Sequence, residues 1–407
     1  MLTPSSFKGR EPRVTISKHP VDALSAAVAA SYLTALSHLI TLVQPTILGA
    51  LADGYKLSAL ELGHVSAAFV GAFTVSSLSA PLWVRRVPWR GFSVFAAMSA
   101  AIALVVSGLA QANVSVLLIF GGLGVLTGAL GAPAFASLGD TSDPNRSYSI
   151  SAGVQSFASA VAAAPLTALV IPTYGVSGLF FTLAILLATA LLVVPWLSNA
   201  GRPQTATQVQ ASNAPLYLKS AIPSVLALVA LFLFAGGIYA FWFFAERIGV
   251  SRGSSAVLIG MSLSAGVVPA IIASAIMGWL GARISTLKWA IIGTVILLSA
   301  FAALQFPGDP AYFIANQLFA AGWGLAQPAY WAIARKADIT GRIFVAAPAA
   351  SGAAGVCIGL IAGPVVESGG YPGLIVLSSG LIVIAALGAF AAMGLGRIPA
   401  QQLASEA

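Results

Sequence analysis

The stretch "GWLGARISTLK", residues 278–288, plants two bases in a chain that is only 7% charged, and it echoes an earlier one, "APLWVRRVPWR", residues 80–90. Laid over one another without a gap, the two pair Leu82 with Leu280, Arg85 with Arg283 and Arg90 with Lys288, each 198 positions apart. The same offset carries Asp140 onto Asp338. A chain of 407 residues that repeats itself at about half its length reads as two copies of one unit.

The solvent of that unit is lipid. The chain is 58% apolar with a mean hydropathy of +0.95, against roughly 45–50% apolar and about 25% charged in soluble domains. Twelve apolar segments follow one another, at 23–51, 59–82, 91–111, 115–138, 148–171, 176–198, 221–245, 254–281, 287–306, 311–334, 342–366 and 373–396. Each is near the roughly 20 residues with which a helix crosses about 30 Å of hydrocarbon. Hydrocarbon forces a segment to satisfy its own backbone, and these segments are far longer than barrel strands and lack alternation, so they are expected to be helices. The expected fold is all-α: a cytoplasmic tail over 1–20, six spans over 21–198, a polar linker over 199–220, six more spans over 221–396, and a second tail over 397–407.

With both ends in the cytoplasm, the inside face holds 16 of the 19 bases and the outside face only Lys56, Arg247 and Arg252. That asymmetry is the positive-inside rule, and it accounts for the net charge of +8 without any nucleic-acid partner. The first span is too long for a cleavable signal and is expected to stay as an anchor. Cys357 is the sole cysteine, so neither an internal disulfide nor a paired-cysteine metal site is expected. No metal and no cofactor are expected.

Twelve spans, two halves of six, and a basic loop between spans 2 and 3 that returns between spans 8 and 9 resemble the major facilitator superfamily of secondary transporters, here in a bacterial inner membrane. The resemblance runs from about residue 21 to 396 and implies two six-helix bundles related by a pseudo-twofold axis. In that family the loop reads Gly, three residues, Asp, Arg, one residue, Gly, one residue, two bases. The second copy keeps Gly278, Arg283 and Lys288; the first keeps Arg85 and Arg90 with Ala80 for the glycine. The acid is Val84 in one copy and Ala282 in the other. Asp140 and Asp338, in the loops after spans 4 and 10, are expected to supply the missing carboxylates. Asp140 would pair with Arg85 or Arg86, and Asp338 with Arg283. These residues, with Arg90 and Lys288, form the expected cytoplasmic gate.

The architecture implies rocking of one bundle against the other about a site near the midplane. Gly352, Gly355, Gly359 and Gly363, ahead of Pro364, make a small-residue stripe along span 11 that permits close helix approach. Span 5 reads "SAVAAAPLTAL", residues 159–169, with alanines where the antiporters of the family carry glycines, which weighs against drug efflux by proton exchange.

At about 100° per residue, Ser31, Thr34, Ser37, His38, Thr41 and Gln44 share one side of span 1. Spans 1, 4, 7 and 10 line the cavity in proteins that this one resembles. His38 is the only titratable group near the middle of a span, which makes it the leading proton-carrying and substrate-binding candidate; the bland reading is a neutral histidine bonded to a nearby carbonyl. Span 10 places Trp323, Gln327, Tyr330 and Trp331 on a single side, and span 7 places Tyr239, Trp242 and Glu246 at steps of three and four. These are expected to form aromatic walls with polar handles, although Trp and Tyr also populate interfacial belts. Glu246 is a second proton-coupling candidate, and Gln155 on span 5 a further substrate contact.

Span 4, "GGLGVLTGALGAP" at 121–133, has no arginine, and no base lies in the core of any span. A strongly anionic cargo needs a fixed cation at depth, so the expected substrate is a small, neutral or weakly acidic, partly aromatic solute, carried with protons by a monomer. Efflux of amphipathic toxins is the nearest alternative. A membrane enzyme would need paired carboxylates or a histidine cluster at depth, and His19, His38 and His64 are spread too widely to hold a metal. A sensor or scaffold would carry an added soluble domain.

Overall fold

The computed structural model describes residues 20–110, 115–142, 144–201, 218–280, 283–338 and 343–395. The tails up to 19 and from 396, the linker over 202–217, and Ala282 lie outside the described residues. Every regular element among those described is helical. Among the described residues, eight helices are long and apolar enough to cross a membrane. Two of these are double. The helix Ala347–Leu395 would measure roughly 74 Å at 1.5 Å per residue, and it turns back at Gly370, whose φ is 64°. The run Gly153–Trp196 turns at Gly175, with φ 61°. Only glycine enters that backbone region without strain.

The other two spans differ from a simple apolar rod for reasons that matter at the site. Span 10, Asp309–Ala337, is rich in polar side chains. Span 1 is cut into Leu24–Ser37, Leu39–Leu42 and Gln44–Tyr55. Twelve spans result, as the hydropathy pattern predicts. The repeat shows in small devices too: Ser58 caps span 2 by accepting from the Glu61 N–H, and Ser255 caps span 8 by accepting from the Leu258 N–H.

The two six-helix bundles each have a buried core, one centred on Leu33, Phe69, Leu104, Leu130 and Phe180, the other on Phe234, Phe241, Leu297 and Tyr312. The chain's described ends, residues 20 and 395, and both edges of the linker share one membrane face, here the tail face; the loops 1–2 and 7–8 share the far face.

The bundles meet along three seams, the third of them between spans 1 and 7. Span 2, Ala59–Trp83, crosses to span 11, where Gly359 faces Gly63 and Ala67, Gly355 faces Val70, and Gly352 faces Thr74. A methyl group built on Gly359 would stand 2.8 Å from the Gly63 carbonyl oxygen and the Ala67 nitrogen. Backbone therefore packs on backbone, as small-residue seams allow. The second seam joins span 5 to span 8, where Gly260 packs on Ala164 and Thr167. The alanines of span 5 thus serve a close approach whose glycine is on the partner helix.

Gly359→Val is expected to overpack the first seam, at a cost of about 1–3 kcal/mol, and lower the thermal midpoint of the detergent-solubilised protein. Gly380→Ala, which meets open space, should leave that midpoint unchanged.

Candidate functional site

Span 1 breaks where its sequence demands it. Pro45 has no N–H, so the Thr41 carbonyl four residues earlier loses its helical donor. The helix yields at Val43 (φ −111°, ψ 18°) and at His38 (φ −96°, ψ 1°). A freed carbonyl in hydrocarbon must find another donor. The Trp242 indole of span 7 supplies it, Nε1 to the Thr41 oxygen at 3.2 Å. One proline in the first bundle thus creates a hydrogen bond to the second.

His38 sits at the upper break. Its Nδ1–H donates toward the Thr34 carbonyl at 3.0 Å and lies 2.9 Å from the Ser37 hydroxyl. A carbonyl only accepts, so the neutral ring carries its hydrogen on Nδ1 and leaves Nε2 as an acceptor. The ring is wedged edge-on between Phe73 of span 2 at 5.1 Å and Phe135 of span 4 at 5.7 Å. Its orientation is fixed by packing, and Nε2 takes no partner among the described residues.

His38 and Thr41 line a cavity of about 300 Å³ between the bundles. Span 5 adds Gln155 and Ser156; span 7 adds Tyr239 and Trp242; span 8 adds Ser262. Span 10 contributes Asn316, Phe319, Trp323 and Gln327, and span 11 adds Ser351. The hydroxyls of Ser262 and Ser351 are buried without a hydrogen-bond partner. Asn316 donates to the Tyr312 carbonyl at 3.0 Å, and Gln155 reaches Ser151 at 3.4 Å. The Trp242 and Phe319 rings are parallel within 3°. Among the described residues, no Asp, Glu, Lys or Arg is on the wall. The cavity therefore offers aromatic faces and neutral hydrogen-bonding groups, with one imidazole.

Five expected contacts fall elsewhere. Thr34 is fully buried and its hydroxyl donates to the Ala30 carbonyl at 2.8 Å. Gln44 is buried beyond the second break of span 1, off the cavity wall. Tyr330 is buried and stacked on Phe234 at 4.2 Å within the second bundle. Trp331 packs edge-on against Phe344 at 6.1 Å. Glu246 belongs to an ion cluster with Arg247 near the far face. Conversely, Asn316 and Phe319 precede Trp323 by seven and four residues, so helical spacing alone carries them to its side. The serines left no signal of that kind.

At the tail face Arg85 and Asp140 form a bidentate ion pair, its Nη2–Oδ1 arm at 2.7 Å. Val84, in place of the motif's acid, is buried. Arg85 also lies over the Trp89 ring at 5.7 Å, and Gly201 rests on the pair without room for a side chain. Arg90 donates to the Leu197 carbonyl at 2.7 Å, and Arg86 is exposed. All these contacts stay inside the first bundle. The second copy corrects the expectation for it. Asp338 accepts from the Phe344 N–H at 2.8 Å, capping the turn into span 11. Arg283 and Lys288 are exposed, and no Arg283–Asp338 ion pair occurs among the described residues.

Two helical bundles enclosing a polar cavity at their interface define a membrane carrier of the alternating-access class. The sequence profile of the Major Facilitator Superfamily matches residues 28–346, and the chain belongs to that family. It is a multi-pass secondary transporter of a small molecule. Its fold is similar to that of the nucleoside transporter NupG, in a mutant form with TM-score 0.71 at 12% identity over 91% of this chain and 99% of that one. It is also similar to a D-xylose-proton symporter, with TM-score 0.69 at 16% identity over 90% and 96%. No curated protein matches the sequence.

Pro45→Ala should return an N–H to the Thr41 carbonyl and release Trp242. A recovered helical bond worth about 1 kcal/mol is expected to slow amide exchange over residues 41–46 roughly fivefold, measured by mass spectrometry.

Proposed function

We propose that the chain carries a small, neutral or weakly acidic, partly aromatic organic solute across the inner (plasma) membrane as a monomer, coupled to protons. The observation that carries this reading is the cavity wall. It combines Trp242, Phe319 and Trp323 with Gln155, Asn316, Gln327 and two unpartnered serines, and holds no fixed charge. Aromatic faces stack a planar or ring-bearing solute. The amides and hydroxyls orient it by hydrogen bonds, and each one left unpaired discriminates against the wrong cargo. A phosphate ester or dicarboxylate would find no cation there other than a protonated His38, and burying such charge unpaired costs several kcal/mol.

The fold neighbours named above handle a nucleoside and D-xylose. At 12–16% identity they support the fold alone, so the cargo reading rests on the lining residues.

The distribution of bases supports an orientation with the tail face, both termini and the linker in the cytoplasm. The domain scheme follows: bundles over 21–198 and 221–396, joined by the linker over 199–220. In this conformation the hydrogen bonds and ion pairs seen between the bundles lie at the cavity roof or beyond it toward the far face. These are Trp242 with Thr41, Arg247 with Asp53, and the Leu60 N–H with Glu367. The cavity in this state is the inward-facing one. His38, with Nε2 facing the cavity, takes and releases the coupled proton where the solute binds; Glu246, at the far-face seam, is a second coupling group.

Purified protein in proteoliposomes is expected to accumulate a ring-bearing neutral solute when a pH gradient is imposed, and to equilibrate it without one. His38→Ala should abolish accumulation against the gradient while solute exchange persists. Intact accumulation in that variant would remove His38 from the coupling role. Trp323→Ala, which removes a stacking face worth about 0.5–1.5 kcal/mol, is expected to raise KM about threefold to tenfold with little change in the fully loaded rate.

A further inference from the structure

Arg247, at the far-face end of span 7, is held by two carboxylates from opposite bundles. Its Nη1 and Nη2 donate to Asp53 of span 1 at 2.7 and 2.8 Å. Its Nε and Nη2 donate to Glu246, its neighbour in span 7, at 2.5 and 2.8 Å. The three differ in their access to water. The Arg247 and Glu246 side chains are 11% and 10% exposed, whereas Asp53 is 69% exposed. Glu246 also lies directly against Gly49 of span 1, where no side chain would fit. A second carboxylate crosses the neighbouring seam, between spans 2 and 11. Glu367 of span 11 accepts the Leu60 N–H at 3.1 Å, one of the donors at the N-terminus of span 2 that has no partner inside its own helix.

We propose that Asp53 and Glu367 form a proton-released latch that holds the two bundles together at the far face. The proposal rests on the alternating-access part of the reading above and not on its cargo. Its logic is the pairing left behind on opening. When Asp53 leaves, Arg247 keeps Glu246, so no buried charge is stranded, and Asp53 moves fully into water. Breaking a buried pair is costly chiefly because of the uncompensated partner, and here that partner is already compensated within its own bundle. Glu367 likewise returns to water, and the first turn of span 2 keeps the Ser58 and Glu61 capping box.

A proton from far-face water that binds the Asp53 carboxylate removes its charge and with it the ion pair to Arg247. Acidity on that side therefore favours the far-open state. The other titratable or charged groups facing the cluster are Lys56 of span 1, Tyr312 of span 10 and Tyr371 of span 12. Glu61 and His64 of span 2 lie near Leu60.

The test is the distance between spin labels on Tyr174→Cys and Val257→Cys, both exposed and on opposite bundles, in the full chain with Cys357→Ala. Ordinary carboxylates titrate near pH 4 and the Arg247 hydrogen bonds hold Asp53 lower still, so lowering the pH from about 7 to about 3 should raise the long-distance population at least about twofold. Asp53→Asn, which mimics the protonated acid, should hold that population high at both pH values, and Asp53→Glu should restore the response. Glu246→Gln should act in the opposite sense. It leaves Arg247 dependent on Asp53, so the far face stays closed. If Glu246→Gln opens the far face as Asp53→Asn does, or if the unsubstituted acids give a pH-independent distance, the latch is wrong. The measurement needs neither solute nor gradient, and His38→Ala should leave it unaltered, so it stands or falls apart from the coupling assignment.

Discussion

Hydrocarbon offers a peptide group no partner, and that single constraint organises the molecule. Most spans answer it with helices that reverse at glycine, as at Gly175 and Gly370, and loosen only locally, at a π segment over Leu166–Val170 and at single-residue breaks at Thr189 and Gly266. The first span is cut twice. Pro45 withholds one donor, and the orphaned Thr41 carbonyl is satisfied from outside its own helix and outside its own bundle, by Trp242. The irregular backbone then lies where it is tolerable, against a polar cavity. His38 sits at the other break, five residues earlier, its backbone out of helical register and its ring set between Phe73 and Phe135.

The topology was legible because hydropathy reports solvent, and solvent dictates helix length. The cavity was legible only in part, and the reasons are geometric. Placing Thr34, His38, Thr41 and Gln44 on one arc assumes continuous rotation at about 100° per residue. Two breaks within six residues destroy that assumption, so Thr34 turns to the Ala30 carbonyl and Gln44 is buried beyond the cavity while His38 and Thr41 reach it. On span 10 the helix is intact and the arc holds for Trp323 and Gln327. One turn further on, Phe234 and Phe344 cover the same side, so Tyr330 and Trp331 meet protein instead of cavity. The serines were invisible for a different reason. Ser66 and Ser107 return their hydroxyls to the carbonyl four residues back, the usual use of serine in a span. Nothing in composition separates them from Ser262 and Ser351, which do not.

The internal repeat preserves positions more faithfully than uses. Asp140 and Asp338 occupy equivalent places after spans 4 and 10. Yet the first clamps Arg85 beneath Gly201 and the second caps the turn at Phe344. The difference follows from what surrounds each carboxylate. Beside Asp140 the loop presents a guanidinium stacked on Trp89. Beside Asp338 the chain presents the Phe344 N–H at the entrance to span 11, and the carboxylate accepts it. Halves that share a fold are thereby free to hold their tail-face loops by different bonds.

The contacts between the bundles divide by their tolerance of motion. Along spans 2 and 11 the seam is glycine on backbone, held by dispersion over many weak contacts. Such contacts are non-directional, so a small rotation exchanges one set for another at little cost. The contacts at the far face are hydrogen bonds and ion pairs, which weaken steeply when bent below about 120°; they are made or broken, not stretched. A joint with a smooth bearing along its length and discrete bonds at one end favours two end states over a continuum. Packed interfaces are bistable for this reason. The neutral cavity fits the same logic. With no fixed charge on its wall it imposes no strong electrostatic preference on the empty carrier. The balance between end states is therefore left to the charged groups at the rims and to the occupant.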